Sequence, residues 1–306
     1  MKVFIDGREG TTGLGIFSRL ENRSDIAVTV LPEETRKSVE ARKKAINESD
    51  ITVLCLPDDA AKESVSLIEN PDVVVLDAST AHRTADGWVY GLPELCAGQK
   101  EKIASSKRIA VPGCHASGFI SLVYPLIEKG VISKEALLCC HSVTGYSGGG
   151  KKMIAEYESD ERENKLKAPR QYGLSQTHKH LPEMTKITGL NNPPVFCPIV
   201  SDFYSGMLVT VPLFKSQLQN DATAETVKAI YKEKYDGKMN IEYCEKMADG
   251  GFLDSNTLSE KDKMQIGVFG NEDRILLTAR YDNLGKGASG AAVQCLDIII
   301  NKMKND

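Results

Sequence analysis

The sequence has little that would direct it to a membrane or to nucleic acid. None of its 306 residues belongs to an apolar run as long as the roughly 18 residues of a membrane-spanning helix. The opening MKVFIDG is too short and too polar for a signal peptide. The formal net charge is -4, and no basic stripe alternates with aromatic residues, so we expect neither nucleic acid nor a membrane as a partner. These absences predict a cytoplasmic globular protein.

Cysteine pairs are also lacking. The chain has eight cysteines, but none are spaced as C-x-x-C, and reduced thiols are expected rather than a disulfide framework. The one cluster that suggests a metal is Cys139-Cys140-His141, in a strand-like apolar run. Neighbouring strand residues point to opposite faces, so the two thiols could hardly share an ion. We therefore expect no metal site and interpret both cysteines and His141 as core residues.

The first third of the chain contains short apolar strands that alternate with helical segments. The predicted strands are residues 2–6, 26–31, 51–56, 73–77 and 108–111. The predicted helices between them are residues 13–20, 37–47 and 59–68. This alternation predicts a parallel sheet with helices on both faces, and such sheets bind ligands at the carboxyl ends of their strands.

After about residue 130 the pattern changes to longer runs rich in β-branched residues. These predicted strands are residues 136–144, 195–200, 206–214, 241–244, 265–270 and 274–281. A hairpin turn is expected at residues 270–273, a helix at 222–235, a polar mobile loop at 156–172 and a closing amphipathic helix at about 286–303. The pattern predicts a mostly antiparallel sheet with helices on one side.

A glycine-rich loop follows the first predicted strand. It reads Gly7-Arg8-Glu9-Gly10-Thr11-Thr12-Gly13 and leads directly into a helix. Glycines at these three positions allow a phosphate to approach backbone N–H groups, and the helix N-terminus favours an anion. Because the loop lies at the first strand–helix junction, we expect Gly7, Gly10, Thr11, Thr12 and Gly13 to bind a dinucleotide.

The residues after the second predicted strand bear on the choice between NAD and NADP. Glu33 and Glu34 would suit a free ribose 2′-hydroxyl, whereas Arg36, Lys37 and Ser38 would suit a 2′-phosphate. Three phosphate-compatible side chains favour NADP(H), with Arg36 and Ser38 as binding residues. The alternative is that these residues only open a helix.

The stretch VPGCHASG, residues 111–118, places a thiol between a strand and a helix. A helix N-terminus stabilises an anion, so it lowers the pKa of a thiol there, and the thiolate is the nucleophilic form. The thiol would also lie at the carboxyl edge of the sheet, where the nicotinamide is expected. Cys114 is therefore the predicted nucleophile.

A catalytic thiol needs an acid or base, and histidine is suited to that role near neutral pH. Of five histidines, His178 and His180 lie together with Glu183 in Gln176-Thr177-His178-Lys179-His180-Leu181-Pro182-Glu183. Pro182 suits a first helical turn, so the histidines belong to a segment that enters a helix. His115 adjoins Cys114, but we expect its side chain to point elsewhere on the helix.

A thiol beside a nicotinamide suggests thioester chemistry on an activated acyl group. If that group is an acyl phosphate, anion sites are needed. Ser147-Gly148-Gly149-Gly150-Lys151-Lys152 offers backbone N–H groups and two ammonium groups, and Arg83 follows the fourth predicted strand. A flexible glycine loop before a helix is the alternative interpretation of residues 147–152.

Taken together, these motifs resemble the short type of N-acetyl-gamma-glutamyl-phosphate reductase, an enzyme family of arginine biosynthesis. The resemblance runs in the same order through nearly the whole chain. Its motifs are VPGCHASG, Asp77-Ala78-Ser79 with Arg83, Tyr90-Gly91-Leu92-Pro93-Glu94, Ser147-Gly148-Gly149-Gly150-Lys151, His178-Lys179-His180-Leu181-Pro182-Glu183, and Asp282-Asn283-Leu284-Gly285-Lys286-Gly287-Ala288-Ser289-Gly290.

The resemblance implies reduction of N-acetyl-L-glutamyl 5-phosphate by NADPH to the 5-semialdehyde, with release of inorganic phosphate. It implies Cys114 as nucleophile, His178 as acid/base, and His180 and Glu183 as orienting or substrate-contacting residues. Cofactor contacts are implied for Ser79 and Asn283, and substrate or phosphate contacts for the remaining family positions, which are Arg83, Ser147, Gly148 and Lys151.

The fold implied by the resemblance is α/β plus α+β. A Rossmann-type parallel sheet domain, residues 1–113 and 284–306, would bind NADP(H). An inserted, mostly antiparallel α+β domain, residues 114–283, would carry catalysis and oligomerisation, and the family implies a homodimer or homotetramer.

Three other functions remain open at this point. Aspartate-semialdehyde dehydrogenase shares the architecture and the thiol–histidine logic. A reductase of an aminoadipyl phosphate on a lysine route, with the substrate presented by a carrier protein, is a closer rival. A dinucleotide-binding regulator without turnover is a third, although it would have little use for Cys114 and the His178 group.

Overall fold

The computed structural model describes residues 1–237 and 240–305, and the chain forms two compact units. The first unit comprises Met1–Gly113 together with Ala288–Asp306, and the second comprises Cys114–Gly287. Each unit contains one β-sheet.

The strands are β1 Lys2–Asp6, β2 Ala27–Thr29, β3 Ile51–Leu54, β4 Val74–Asp77, β5 Val89–Tyr90, β6 Arg108–Ala110, β7 Cys139–Gly145, β8 Arg170–Gln171, β9 Val195–Ser201, β10 Met207–Phe214, β11 Ile241–Tyr243, β12 Met264–Gly270 and β13 Arg274–Tyr281. The α-helices are α1 Thr11–Leu20, α2 Val39–Asn47, α3 Asp58–Ser66, α4 Gln99–Ser105, α5 Cys114–Glu128, α6 Gly150–Glu158, α7 Leu181–Thr188, α8 Ala224–Tyr235 and α9 Gly290–Asn305.

The sheet of the first unit has the strand order β2-β1-β3-β4-β6-β5, and every neighbouring pair is parallel. The predicted parallel sheet is therefore confirmed. Strand β5 and helix α4 were not predicted from the sequence. A two-residue strand is too short to show an alternating pattern.

Alternate residues of these strands serve two separate cores. Val3 and Ile5 of β1 pack in one apolar cluster with residues of α1, α4 and α9. Phe4, which lies between them, packs in a second cluster with residues of α2 and α3. Because successive strand side chains point to opposite faces, this division places helices on both faces of the sheet.

The sheet of the second unit has the order β11-β12-β13-β10-β7-β9-β8 and is mixed. The pairs β11–β12 and β7–β9 are parallel, and the other four neighbouring pairs are antiparallel. Strands β12 and β13 form the predicted hairpin. In its turn the Asn271 side-chain oxygen accepts hydrogen bonds from the N–H groups of Asp273 and Arg274.

Two segments differ from the sequence-based expectation. Residues 156–172 are not simply a mobile loop: α6 continues to Glu158, and Tyr157 and Leu166 are buried against Val200. These apolar side chains explain why the segment is ordered despite its polar composition. The last α-helix begins at Gly290 rather than near residue 286, because Gly285–Ser289 forms a π-helical turn.

The expectation that Cys139 and His141 are core residues is wrong. Both are exposed, while Cys140 and Ser142 are buried. Strand alternation separates the two sets, and the core of the unit lies on one side of β7 only. Within the described ranges 1–237 and 240–305, no helix is long and apolar enough to cross a bilayer.

Candidate active site

The glycine loop of the first unit is shaped by close backbone contacts. Gly7 has a φ of +89°, and a Cβ there would lie 2.4 Å from the carbonyl oxygen of Cys55. A Cβ on Gly13 would lie 2.5 Å from the carbonyl oxygen of Gly7. Only glycine fits these two positions, so the tight turn predicted from the sequence follows from sterics.

The start of α1 suits a phosphate group. Gly10 is the N-cap, no side chain caps the helix, and the first turn, which includes Thr11 and Thr12, contains no acidic residue. A Cβ on Gly10 would meet nothing closer than 3.8 Å, so its surroundings are open. The N–H groups of the first turn therefore remain available to an anion, and the residues present fit the pyrophosphate of a dinucleotide.

The segment after β2 both opens a helix and carries the predicted 2′-phosphate residues. The Arg36 guanidinium lies 3.1 Å from Oε1 of Glu33. Ser38 is the N-cap of α2: its Oγ accepts a hydrogen bond from the N–H of Ala41 at 3.2 Å and donates one to Glu40 at 2.9 Å. Helix capping thus accounts for one part of this pattern, and the 2′-phosphate role stays a prediction.

The loop after β4 is built on the buried carboxylate of Asp77. Its oxygens accept hydrogen bonds from the Ser79 backbone N–H at 2.9 Å and the Ser79 hydroxyl at 2.7 Å. The ring of His82 contacts the same carboxylate at 2.5 Å and stacks on Trp88. These bonds hold Ser79 in a fixed orientation.

Arg83 is anchored in the same loop. Its Nε donates to the carbonyl of Val111 at 2.9 Å, and Nη2 donates to the carbonyl of Ala78 at 3.1 Å. The guanidinium therefore ties the segment after β4 to the segment after β6, and its cationic character makes it a candidate for the predicted anion contact.

Cys114 is the first residue of α5, as predicted, and its side chain is half-buried. The hydroxyl of Tyr281 donates to the carbonyl of Cys114 and accepts a hydrogen bond from the N–H of Gly118 at 3.1 Å. The Tyr281 hydroxyl thereby bridges the Cys114 carbonyl and the Gly118 N–H, which are the two groups of the first i,i+4 hydrogen bond of α5. A Cβ on Gly118 would lie 2.7 Å from that hydroxyl, so a glycine is needed for α5 to approach β13 here.

His178 and His180 lie together at the start of α7, with ring centroids 4.8 Å apart. Pro182 occupies the first turn of this helix, as the sequence predicted, and Glu183 is buried one residue later. The backbone N–H of His180 donates to Nδ1 of His178 at 3.2 Å. Burial, with a smaller contribution from the charge of Lys179, lowers the pKa of His178 from its ordinary value.

His115 belongs to this group, contrary to the expectation that its side chain points elsewhere. Its ring centroid lies 5.8 Å from that of His178 and 5.5 Å from that of His180. Its Nδ1 contacts the Ser142 hydroxyl at 2.6 Å, and its Nε2 contacts the Tyr172 hydroxyl at 2.7 Å. Sequence analysis missed Ser142 and Tyr172. For Ser142, the available signal was a polar residue at an inward position of strand β7. Tyr172 follows β8, and no local pattern indicates its role.

Ser147 and Asn283 form a third group of predicted residues. Ser147 is buried in the turn after β7, and its Oγ accepts a hydrogen bond from Nδ2 of Asn283 at 3.0 Å. Oδ1 of Asn283 accepts from the N–H of Gly206 at 2.8 Å. Gly148 is exposed beside them, and Lys151 is exposed at the start of α6. No group of three or more potential metal ligands occurs in the part of the chain that the structure describes.

Comparison with known proteins agrees with this arrangement. Residues 2–105 match the family "Semialdehyde dehydrogenase, NAD binding domain", and residues 114–283 match "Semialdehyde dehydrogenase, dimerisation domain". Two aspartate-semialdehyde dehydrogenase structures share the fold. That of Vibrio cholerae is 18% identical with a TM-score of 0.70, covering 98% of each chain. That of Francisella tularensis is 17% identical with a TM-score of 0.71, covering 98% of this chain and 99% of the other.

Curated relatives are much closer in sequence. The N-acetyl-gamma-glutamyl-phosphate reductase 2 of a Nostoc strain is 44% identical, covering 98% of this chain and 96% of the relative. The enzyme of the same name from Pseudomonas putida is 44% identical over 99% and 97% of the two chains. The N-acetyl-gamma-glutamyl-phosphate reductase of Brucella ovis is 43% identical over 98% and 99%. The predicted family and the predicted fold class are confirmed. The chain belongs to the N-acetyl-gamma-glutamyl-phosphate reductases, within the semialdehyde dehydrogenase family.

Proposed function

We propose that the protein reduces N-acetyl-L-glutamyl 5-phosphate with NADPH to N-acetyl-L-glutamate 5-semialdehyde, with release of inorganic phosphate, in arginine biosynthesis. The names of relatives that cover nearly the whole chain support this substrate. The structural observation that carries the proposal is a half-buried thiol at a helix start, in the same unit as three clustered histidines.

The first unit supplies the dinucleotide site. The N–H groups of the first turn of α1 bind the pyrophosphate, and Gly7 and Gly13 keep side chains out of the loop. Arg36 and Ser38 hold the 2′-phosphate, which makes NADP(H) the preferred cofactor, and Ser79 is a further cofactor contact of this unit. Asn283, which belongs to the second unit, is the remaining proposed cofactor contact. When bound, NADPH supplies the hydride that the reduction requires.

Cys114 carries the acyl group. Its thiolate forms a carbon–sulfur bond to the acyl carbon, and the carbon–oxygen bond to phosphate breaks, which gives a thioester and inorganic phosphate. Reduction of the thioester gives a thiohemiacetal. The carbon–sulfur bond then breaks, which releases the aldehyde and regenerates the thiolate. Cys114 is the first residue of α5, and the N-terminus of a helix favours the anionic sulfur.

Histidine side chains transfer the protons of the reaction. His178 is the acid/base group that exchanges a proton with the thiol and with the thiohemiacetal oxygen. The buried His180 and Glu183 orient it or contact the substrate. Arg83, Ser147, Gly148 and Lys151 bind the phosphate or the carboxylate end of the substrate, because guanidinium, ammonium and backbone N–H groups suit anions.

We propose residues 1–113 and 284–306 as the NADP-binding domain and residues 114–283 as the catalytic and oligomerisation domain, whereas the compact units divide four residues later, between Gly287 and Ala288. A homodimer or homotetramer is consistent with the family description "dimerisation domain" for residues 114–283. None of the eight cysteines, all within the described residues, is in a disulfide, which fits a reducing compartment such as the bacterial cytoplasm.

The test runs the enzyme in reverse. NADPH formation is followed from N-acetyl-L-glutamate 5-semialdehyde, NADP and phosphate, with NAD, aspartate semialdehyde and an aminoadipate semialdehyde as separate arms. Activity that needs the acetylated substrate and phosphate, and prefers NADP, supports substrate and cofactor together. Activity with another semialdehyde only would refute the substrate. Tight NADP binding without any turnover would refute the enzyme assignment.

A further inference from the structure

The hydroxyls of Ser142 and Tyr172 contact the two ring nitrogens of His115. Ser142 lies on β7 and is fully buried, His115 is the second residue of α5 and is buried, and Tyr172 follows β8 and is partly exposed. The two contacts, 2.6 Å at Nδ1 and 2.7 Å at Nε2, are both of hydrogen-bonding length. The three side chains therefore form one continuous chain of hydrogen bonds.

The imidazole of His115 is neutral within this chain of hydrogen bonds. Burial, with a smaller contribution from His178, lowers its pKa to about 3. A neutral imidazole has one N–H donor and one acceptor nitrogen, so only two arrangements are possible. Either Ser142 donates to Nδ1 and Nε2 donates to Tyr172, or both bonds run in the opposite direction.

Burial of Ser142 decides between the two arrangements. Within residues 1–237 and 240–305, the Ser142 hydroxyl makes no side-chain hydrogen bond except that to His115. If Nδ1 donated to it, the Ser142 proton would be left without an acceptor at a fully buried position, which is costly. Tyr172 is a partly exposed residue, whereas Ser142 is fully buried, so a hydroxyl proton without a protein acceptor costs less on Tyr172. The chain therefore runs from Ser142 through His115 to Tyr172.

We infer that Ser142 and His115 are positioning residues that lock Tyr172 as a hydrogen-bond donor to the oxygen of the acyl group on Cys114. This inference rests on the proposed function for the identity of the acyl group. The hydroxyl oxygen of Tyr172 accepts a hydrogen bond from the Nε2–H of His115, so its own proton must point away from His115. The surroundings of Tyr172 support this direction of its O–H group.

Tyr172 is close to the reacting groups of this unit. Its ring centroid lies 5.9 Å from that of His178. Burial, with a smaller contribution from the charge of Cys114, raises the pKa of Tyr172 above its ordinary range, so the phenol keeps its proton at neutral pH. A preorganised donor at this place would stabilise the negative oxygen that forms when the acyl carbon is attacked.

The direct test is the protonation site of His115 in the full-length protein. Nitrogen-15 NMR of the imidazole, assigned with a His115→Gln variant, should show Nε2 protonated and Nδ1 unprotonated between pH 6 and 8. A proton on Nδ1 would overturn the inference. This measurement needs no substrate, so its outcome is separate from that of the proposed function.

The second test is kinetic. Tyr172→Phe should lower kcat about 100-fold or more with little change in KM, as expected for a lost oxyanion donor. Ser142→Ala should lower kcat about tenfold, Ser142→Thr should restore it, and the Ser142→Ala/Tyr172→Phe double variant should be no slower than Tyr172→Phe alone. Tyr124→Phe, on the outer part of α5, is the matched control and should match the parent.

The outcomes separate the two proposals. If Tyr172→Phe retains the parental kcat on any semialdehyde that the parent turns over, Tyr172 is not the donor. If Ser142→Ala lowers only the melting temperature and leaves kcat and the His115 proton position unchanged, its role is structural and the inference fails. Absence of turnover of the acetylated substrate by the parent itself would refute the proposed function instead.

Discussion

The backbone N–H of His180 donates a hydrogen bond to Nδ1 of His178 over 3.2 Å. Neutral His178 therefore carries its proton on Nε2, because Nδ1 must keep its lone pair to accept that bond. A proton on Nδ1 would break the bond, so this contact opposes charging of the ring. His178 is thus a neutral imidazole that can take up a proton only at Nδ1, where the proton replaces the bond from the His180 N–H.

The pH dependence of turnover should report this environment. The lowered pKa of His178 keeps the ring neutral to below pH 6.5, so the acid limb of the pH–rate profile should lie below that value. Lys179→Gln removes the positive charge that helps to lower the pKa of His178, so that pKa should rise and the acid limb should move to higher pH. Lys246→Gln, an exposed lysine of the same unit, should leave it in place. A limb that is removed by His180→Gln but not by His178→Gln would make His180 the acid/base group.

Replacement of the nucleophile should separate binding from turnover. Cys114→Ser should reduce activity by at least about 1,000-fold, because a serine hydroxyl is a far weaker nucleophile than a thiolate. NADPH binding, measured by fluorescence titration, should stay within about twofold of the parent. Cys139→Ser, which changes an exposed cysteine of the same unit, should be fully active. Retained turnover in Cys114→Ser would exclude the thioester route.

Acid should destabilise the protein through His115. Its pKa is about 3 in the folded chain against about 6.5 when unfolded, so the unfolded state binds more protons between these values. The stabilising contribution is complete above pH 6.5 and is lost as the pH falls towards 3, by up to about 1.4 kcal/mol per pH unit. Urea unfolding at pH 7 and pH 5 should show a smaller loss for His115→Gln than for the parent. The exposed His141→Gln is the control, and equal losses in all three proteins would contradict the prediction.

Two glycines of the loop should respond differently to alanine. Gly13→Ala places a Cβ against the carbonyl of Gly7 and should lower the free energy of unfolding by about 1–3 kcal/mol. Gly10→Ala meets no such contact, so it should cost only about 1 kcal/mol for an alanine at the N-cap, while NADPH affinity falls by about tenfold. Parental affinity in Gly10→Ala would mean that the phosphate does not approach the loop at this residue.

Ser38 should reveal whether the segment after β2 binds a phosphate or only caps α2. Ser38→Asn keeps the cap, whereas Ser38→Ala loses it and should cost about 1 kcal/mol of stability. If Ser38 contacts the 2′-phosphate, both variants should bind NADP about tenfold more weakly and NAD unchanged. Parental NADP affinity in Ser38→Asn would leave Ser38 as a cap alone.

The fold was predictable where local sequence dominates. Strands such as Lys2–Asp6 and Arg274–Tyr281 are apolar runs with a clear boundary, and the sequence predicts both over their full length. Val89–Tyr90 is too short for any pattern, and residues 156–172 are polar yet ordered by Tyr157 and Leu166. In these two segments tertiary contacts override local composition.

The sequence by itself determined the chemical parts of this protein: a glycine loop after the first strand, a thiol at a helix start, and two histidines entering a helix. Each depends on residues close together in the chain, where backbone geometry and capping dictate the structure. The tertiary structure alone decided that His115 joins Ser142, 27 residues away, and Tyr172, 57 residues away. Only packing of α5 against the strands of the second sheet fixes which polar side chains share a buried space, and no local pattern records it.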